Sequence, residues 1–183
     1  MDDRILINQI LSGDKVAFKK LVQNNERLVF HIMSKLVQDK SDVEDLCQDT
    51  FIKVYQKLST FSYKSKLSTW IATIAYNTGI NCLRSKRVNT EWDDAESEVV
   101  IDMETPSSIM ENKEMDQMVR KCVSQLPKQY QLIISLYHLD EFSYSEITEI
   151  TQIPEGTVKS YLFRGRKILK EKLKVFYQNE MIK

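Results

Sequence analysis

SYSEITEITQIPEGTVKSYLFRGRKILKEKL, Ser143–Leu173, is the stretch on which the fold turns. Ser143 followed three residues later by Glu146 has capping-box spacing, which predicts a short helix through Ile150. TQIP then makes a tight connection, and Pro154 sits near the start of a second, longer helix. Two helices joined by about four residues, the second long and basic, form the helix-turn-helix pattern. On a helical wheel turning about 100° per residue, Val158, Leu162, Gly165, Leu169 and Leu173 share one stripe. Lys159, Ser160, Phe163, Arg164, Lys167, Lys170 and Lys174 share the opposite face with one acid, Glu171.

Phe163 therefore points outward among cations. A solvated face has no use for it, although a surface helix with one stray Phe is the plainer alternative. A DNA major groove does have a use for it. Lys and Arg donate to guanine edges, Ser pairs with any base, and an apolar ring meets the thymine methyl. Lys167 and Lys170, further along the helix, suit phosphates, which position a helix without reading sequence.

Outward from this helix, composition supports an all-α chain. The 183 residues hold only four Gly and three Pro, with a 42% hydrophobic share that is ample for a core. Three cysteines, Cys47, Cys82 and Cys122, are far apart and form no CxxC, which argues against a disulfide framework or zinc site and fits a reducing compartment. The start, MDDRILINQILSGDK, carries charges where a signal peptide needs an apolar run, and no apolar run is long enough to span a membrane. A cytoplasmic protein without membrane insertion is expected.

Net charge is zero, but its distribution is uneven. Residues 1–87 carry +5, residues 88–112 carry −8 with no base, and residues 113–183 carry +3. The acidic strip VNTEWDDAESEVVIDMETPSSIMEN has weak periodicity and reads as a linker between two small helical domains. The expected division is 1–88, an acidic linker over 89–112, and 113–183.

Helices are legible on both sides of the linker. SGDKVAFKKLVQNNERLVFHIMSKLVQ places Val16, Phe18, Leu21, Val22, Leu28, Val29, Ile32, Met33 and Leu36 at helical intervals, with Ser12 and Asp14 as cap candidates. Ser41 with Glu44 has capping-box spacing ahead of a face of Val43, Leu46, Thr50, Val54 and Leu58. After the loop FSYKSK, Ser68 opens a helix with Ile71, Ile74, Ala75, Thr78 and Cys82 inward; Gly79 weakens it without ending it. Beyond the linker, Met115, Met118, Val119, Cys122 and Leu126 line one helix, and Pro127 restarts the chain into another with Ile133, Leu136 and Tyr137 inward.

Two more surfaces are candidates. Phe61, Tyr63, Lys64 and Lys66 precede Trp70, Tyr76, Asn77, Asn81, Arg84, Lys86 and Arg87. Aromatics beside cations and amides suit single-stranded nucleic acid, whose bases stack or flip out while cations hold the backbone. Trp70 and Tyr76 each read more readily as core residues, and Asn77 with Asn81, one turn apart, is the better polar-face signal. The helix DVEDLCQDTFIKVYQKL carries Asp45, Gln48, Asp49, Lys53 and Gln56, a mixed face poor for DNA and open to either a protein partner or solvent.

These stretches resemble the sigma-70 family of bacterial RNA polymerase initiation factors, in its short two-domain, extracytoplasmic-function type. The resemblance covers almost the whole chain and carries the family's order of core-binding helix, −10-reading segment and −35-reading domain. It implies that Asp45, Gln48, Asp49 and Phe51, with Lys53, dock on the clamp helices of the polymerase largest subunit. It implies that the loop Phe61–Lys66 (Phe61, Tyr63, Lys64 and Lys66) pockets a flipped −10 base, with Asn77, Asn81, Arg84 and Arg87 holding adjacent DNA. Lys159, Ser160, Phe163 and Arg164, with Lys167, would face the −35 major groove. The acidic linker would thread toward the RNA exit channel, and an anti-sigma protein would hold the factor inactive. Lys159 stands where Arg is frequent, Tyr161 where a basic residue is common, and FSYKSKLSTW lacks the Gly and acidic residues often found in that loop.

No Ser/His/Asp set or metal cluster is legible, and His31 and His138 lie in separate blocks. The expected protein is therefore a promoter-specificity subunit, with no cofactor, no metal and no catalysis of its own. One rival is a conventional helix-turn-helix regulator whose N-terminal part senses a ligand or dimerises. The other, a nucleic-acid enzyme, lacks the carboxylate cluster or metal site it would need.

Overall fold

The structure is a computed structural model that describes residues 3–89 and 113–180, with side chains over 3–86 and 118–175. The linker segment 90–112 and the side chains of Arg87 and Met115 lie outside the described residues. Among the described residues every regular element is helical. In chain order these are α1 (Asp3–Leu11), α2 (Lys15–Leu36), α3 (Lys40–Lys57) with a 3-10 turn at Leu58–Thr60, and α4 (Leu67–Asn89). Then follow α5 (Lys113–Ser124), α6 (Lys128–His138), α7 (Tyr144–Thr151) and α8 (Glu155–Glu180). Two compact units result, one holding α1 to α4 and the other α5, α6 and α8, with α7 divided between them.

In the first unit α2 packs on α3 and α4, and α1 packs on α2. Leu21, Val29, Ile32 and Met33 of α2 meet the buried faces of α3 and α4, formed by Val43, Leu46, Thr50, Val54, Ile71, Ala72, Ala75 and Thr78. Gly79 is what lets α2 and α4 approach: a Cβ there would lie 2.6 Å from Leu36 Cδ1 and 3.3 Å from Met33 Sδ. The helix runs through it, as the sequence predicts.

Several local expectations need correction. α1 was not legible as a helix, yet it buries Leu6, Ile7 and Ile10. Val16, placed in the stripe of α2 by spacing, is 76% exposed, because it lies in the first turn and the core contact begins at Ala17. Ser12 donates to the Gln9 carbonyl at the end of α1, and Asp14 alone caps α2, accepting from the amides of Val16 (2.8 Å) and Ala17 (3.1 Å). Gly13, at φ 95°, supplies the left-handed turn between the two helices. At α3 the cap is Asp39, not Ser41: its carboxylate accepts from both the amide and the hydroxyl of Ser41, and its pKa is lowered by those hydrogen bonds. α4 begins at Leu67, one residue before the expected Ser68.

In the second unit α6 and α5 pack on α8. Gly165 marks the α6–α8 approach, since a Cβ there would sit 3.1 Å from Ile134 Cγ1 and 3.3 Å from Tyr130 Cβ. Gln131 Nε2 donates to the carbonyls of Ser124 and Leu126 and so closes the turn between α5 and α6. The capping box of α7 forms as expected: the Glu146 carboxylate accepts from the Ser143 amide at 2.8 Å, and the Glu146 amide donates to Ser143 Oγ at 3.3 Å. Gln152 turns the chain at φ 59°, and the Pro154 carbonyl accepts the first amides of α8, Thr157 and Val158.

Candidate nucleic-acid interface

α8 sorts its side chains as the wheel requires. Val158, Leu162 and Gly165 are buried, and Leu169 and Leu173 are half-buried. Lys159, Ser160, Phe163, Arg164, Lys167 and Lys170 are exposed, and Phe163 is 71% exposed. Six groups of the expected reader thus stand on one open face of one rigid element. Ser160 Oγ donates to the Gly156 carbonyl, leaving its lone pairs outward. Lys159 is paired with Glu155 at 2.6 Å, and its ammonium lies 5.5 Å from the Tyr144 ring centre; the hydrogen bond to Glu155 raises its pKa, keeping it a cation. Tyr161 is half-buried and packs edge-on against Tyr130, so it is a packing residue.

In the first unit the loop between the 3-10 turn and α4 carries Tyr63, Lys64 and Lys66 outward, with Tyr63 41% exposed at φ 58°. Phe61 is a correction: it is only 7% exposed, covered by Tyr63 (4.8 Å between ring centres) and Trp70 (5.3 Å). It anchors the loop from beneath and does not itself offer a face to a base. On α4, Asn77, Asn81 and Arg84 are exposed along one side. Tyr76 is half-buried, and its hydroxyl pKa is raised by that burial against the opposing pull of Arg84. Lys86 pairs with Asp42 of α3, and that hydrogen bond raises its pKa, tying the end of α4 to α3. Sequence inspection missed Arg4, whose guanidinium sits 5.3 Å from the Tyr63 ring centre, because α1 itself was missed. Tyr63 presents an aromatic ring beside Lys64, Lys66 and the α4 amides, and stacking of a base on such a ring is worth ~1–3 kcal/mol.

On α3, Asp45, Gln48 and Asp49 are exposed and Phe51 is half-buried. Lys53 sits at the edge of this face: its ammonium donates to Thr78 Oγ1 at 3.2 Å, half-buried against α4. It borders the buried face of α3. Ile52, 54% exposed, lies on the same side of α3 as Asp45, Gln48 and Asp49, with Tyr55 beside it. The wheel could have found Ile52, since it falls between Asp45, Gln48 and Asp49.

The Cys47 thiol pKa is pushed up to about 11 by burial and by Glu44, which leaves it an unreactive small apolar group. Among the described residues no group of His, Cys, Asp or Glu could hold a metal ion, and no helix is long and apolar enough to cross a membrane.

The short α7, the turn at Gln152–Pro154 and the long basic α8 define a helix-turn-helix protein with a separate helical N-terminal unit. Comparison narrows the class. The sigma-70 region 2 model matches residues 21–88, and the sigma-70 region 4 model matches residues 116–169. The ECF RNA polymerase sigma factor SigW of Bacillus subtilis is 30% identical over 177 residues, covering 92% of this chain and 95% of its own. The ECF RNA polymerase sigma-E factor of Haemophilus influenzae is 32% identical over 182 residues, covering 94% and 96%. Among solved structures, the sigma factor RpoE of Bartonella quintana, crystallised with the anti-sigma factor NepR, is 27% identical with a TM-score of 0.70, covering 86% of this chain and 97% of that one. The chain belongs to the sigma-70 family, as an ECF-type factor that directs RNA polymerase to promoters.

Proposed function

We propose that α8 reads the −35 element in the major groove through Lys159, Ser160, Phe163 and Arg164, with Lys167 and Lys170 on phosphates. Phe163 carries this reading: it is 71% exposed among cations while its neighbour Leu162 is 1% exposed. Hydration of a bare ring is unfavourable unless a partner covers it, and a thymine methyl is such a partner.

The −10 element is captured as single strand by Tyr63, Lys64, Lys66, Asn77, Asn81, Arg84 and Arg87, with Phe61 and Trp70 shaping the loop from below. Binding energy of unstacked bases drives melting, and no nucleotide is hydrolysed. The α3 patch of Asp45, Gln48, Asp49 and Ile52, flanked by Phe51, docks on the clamp helices of core polymerase. The working division is 1–88, linker 89–112 and 113–183, in line with the extents of the two family models. An anti-sigma protein is the expected inhibitor, supported by the complex in which the Bartonella quintana relative is found.

Run-off transcription with core polymerase on a randomised promoter library tests the whole reading. Enrichment of a paired −35 and −10 motif is expected. Polymerase-independent binding to palindromic duplex, with no core binding, would instead establish the conventional regulator. Ile52→Asp weakens core binding at least tenfold and leaves the fold intact; unaltered core affinity removes α3 from the interface.

A further inference from the structure

Lys159 does not stand alone in front of the groove. Its ammonium is held from one side by Glu155 at 2.6 Å and from the other by the Tyr144 ring, 5.5 Å to the centre. Tyr144 belongs to α7 and is itself fixed: its ring stacks on Tyr137 of α6, with centres 5.0 Å apart and planes inclined by 18°. The Arg166 guanidinium lies over Tyr137, 5.1 Å to the centre, and Arg166 Nε donates to His138 Nε2 at 3.1 Å. A continuous ladder of cation, ring, ring and cation thus runs from α8 through α6 and α7 back to α8. Both tyrosines are half-buried, so their planes are set by packing.

A lysine is a flexible point charge with three rotatable donors, poorly suited to reading a base unless something aims it. Here the stem leaves α8 on the exposed face, and only the ammonium is steered. We infer that Tyr144 is a positioning residue for promoter specificity: its ring, backed by Tyr137, sets the direction of the Lys159 ammonium and so the −35 base that Lys159 selects. The inference rests on the reading of Lys159 as a groove contact.

The test uses holoenzyme assembled with the full chain. Wild type, Lys159→Ala, Tyr144→Phe, Tyr144→Leu and Tyr144→Ala are each assayed on all single-base variants of the selected −35 element. Lys159→Ala identifies the base pair that Lys159 reads. Tyr144→Leu and Tyr144→Ala then reduce discrimination at that same pair by about two- to fivefold, the size of an exposed cation–π contact. Tyr144→Phe retains discrimination, and the other −35 positions and −10 dependence are untouched. A merely structural role would lower transcription evenly across all variants, and that result overturns the proposal. Tyr144→Leu preserves bulk and keeps the test open if Tyr144→Ala fails to fold. A second readout needs no DNA: the Lys159 side-chain CH₂ proton resonances, shifted upfield by the Tyr144 ring, return to ordinary values in Tyr144→Leu and not in Tyr144→Phe. Discrimination lost in Lys159→Ala but intact in Tyr144→Leu refutes the positioning role alone. No change in Lys159→Ala refutes the groove contact itself, and the positioning role with it.

Discussion

Leu162 and Phe163 are neighbours on α8, and the same truncation should have opposite consequences at the two. Leu162 is 1% exposed, so Leu162→Ala removes buried carbon and leaves a void, a loss of ~2–5 kcal/mol. Phe163 is 71% exposed. Less than a third of its ring is withdrawn from water, worth roughly 0.5–0.9 kcal/mol of a fully buried Phe. Alanine returns about 0.5 kcal/mol in helix propensity, so Phe163→Ala leaves stability within about 0.5 kcal/mol of wild type. At ~4–8 °C per kcal/mol for a unit of this size, Leu162→Ala lowers the melting point of the second unit by about 10 °C or more while Phe163→Ala barely moves it. Transcription should show the reverse pattern. Loss of one base contact costs ~1–2 kcal/mol, about 5- to 30-fold, on a template with the selected −35 element. On a template with that element scrambled, Phe163→Ala and wild type should match. Calorimetry and quantitative run-off transcription are the two measurements. A Phe163→Ala protein that melts as early as Leu162→Ala, or that transcribes the selected promoter at the wild-type rate, refutes the assignment of the ring to the groove.

Gly79→Val forces a branched side chain to within contact distance of Leu36 and Met33 and should destabilise the first unit by more than ~2 kcal/mol, whereas Gly156→Ala, with open space around the added methyl, stabilises the second by ~0.5–1 kcal/mol; urea denaturation giving the opposite order would refute the packing assignment. Asp14→Ala removes the acceptor for two amides at the start of α2 and costs ~0.5–2 kcal/mol, most of it recovered in Asp14→Asn. The His138 pKa is lowered from 6.5, first by burial and then by Arg166, so the folded protein holds the neutral ring that accepts the Arg166 hydrogen bond. As pH falls below about 6.5 the unfolded chain takes up this proton first. Stability is therefore full above that value and declines as pH drops toward the lower folded pKa. His138→Gln should flatten that segment of the melting-point profile relative to wild type, and identical profiles would show that the imidazole is not coupled to folding.

What was legible in the sequence follows from how far each feature reaches along the chain. The inward and outward faces of α8 depend only on 3.6-residue periodicity, and Ser143 with Glu146 is a local motif, so both could be read directly. The cap of α3 is equally local but was misread, because Asp39 and Ser41 are both good cap residues and only the backbone decides between them. α1 escaped notice because Asp3 and Arg4 break up a short apolar pattern whose Leu6, Ile7 and Ile10 need α2 beside them to make sense. The remaining features span the chain. Lys53 meets Thr78 from 25 residues away, Phe61 is buried by Trp70 across a loop, and Arg4 reaches Tyr63 only because α1 packs there. Periodicity assigns a residue to a side of its own helix and is silent on which neighbour waits at the border of that side.

That distinction bears on how such a chain reads DNA. Net charge in residues 113–183 is only +3, and the first cation of α8 already has an acidic partner in Glu155. With so small a net charge, the second unit alone is expected to bind duplex weakly and with a shallow salt dependence. Weakness here serves selectivity. A strongly basic helix would hold the factor on nonspecific DNA, whereas a helix whose lysine must exchange Glu155 for a base gains only where the base is right. The proposed single-strand face of the first unit is also modest, with the exposed Tyr63 ring and a few amides and cations. Joined on one chain and held by polymerase, the two proposed contacts would act at high effective concentration, and the product of two weak discriminations would be a sharp one. Phe163 fits this design, since an apolar ring contributes base preference without adding to nonspecific electrostatic attraction.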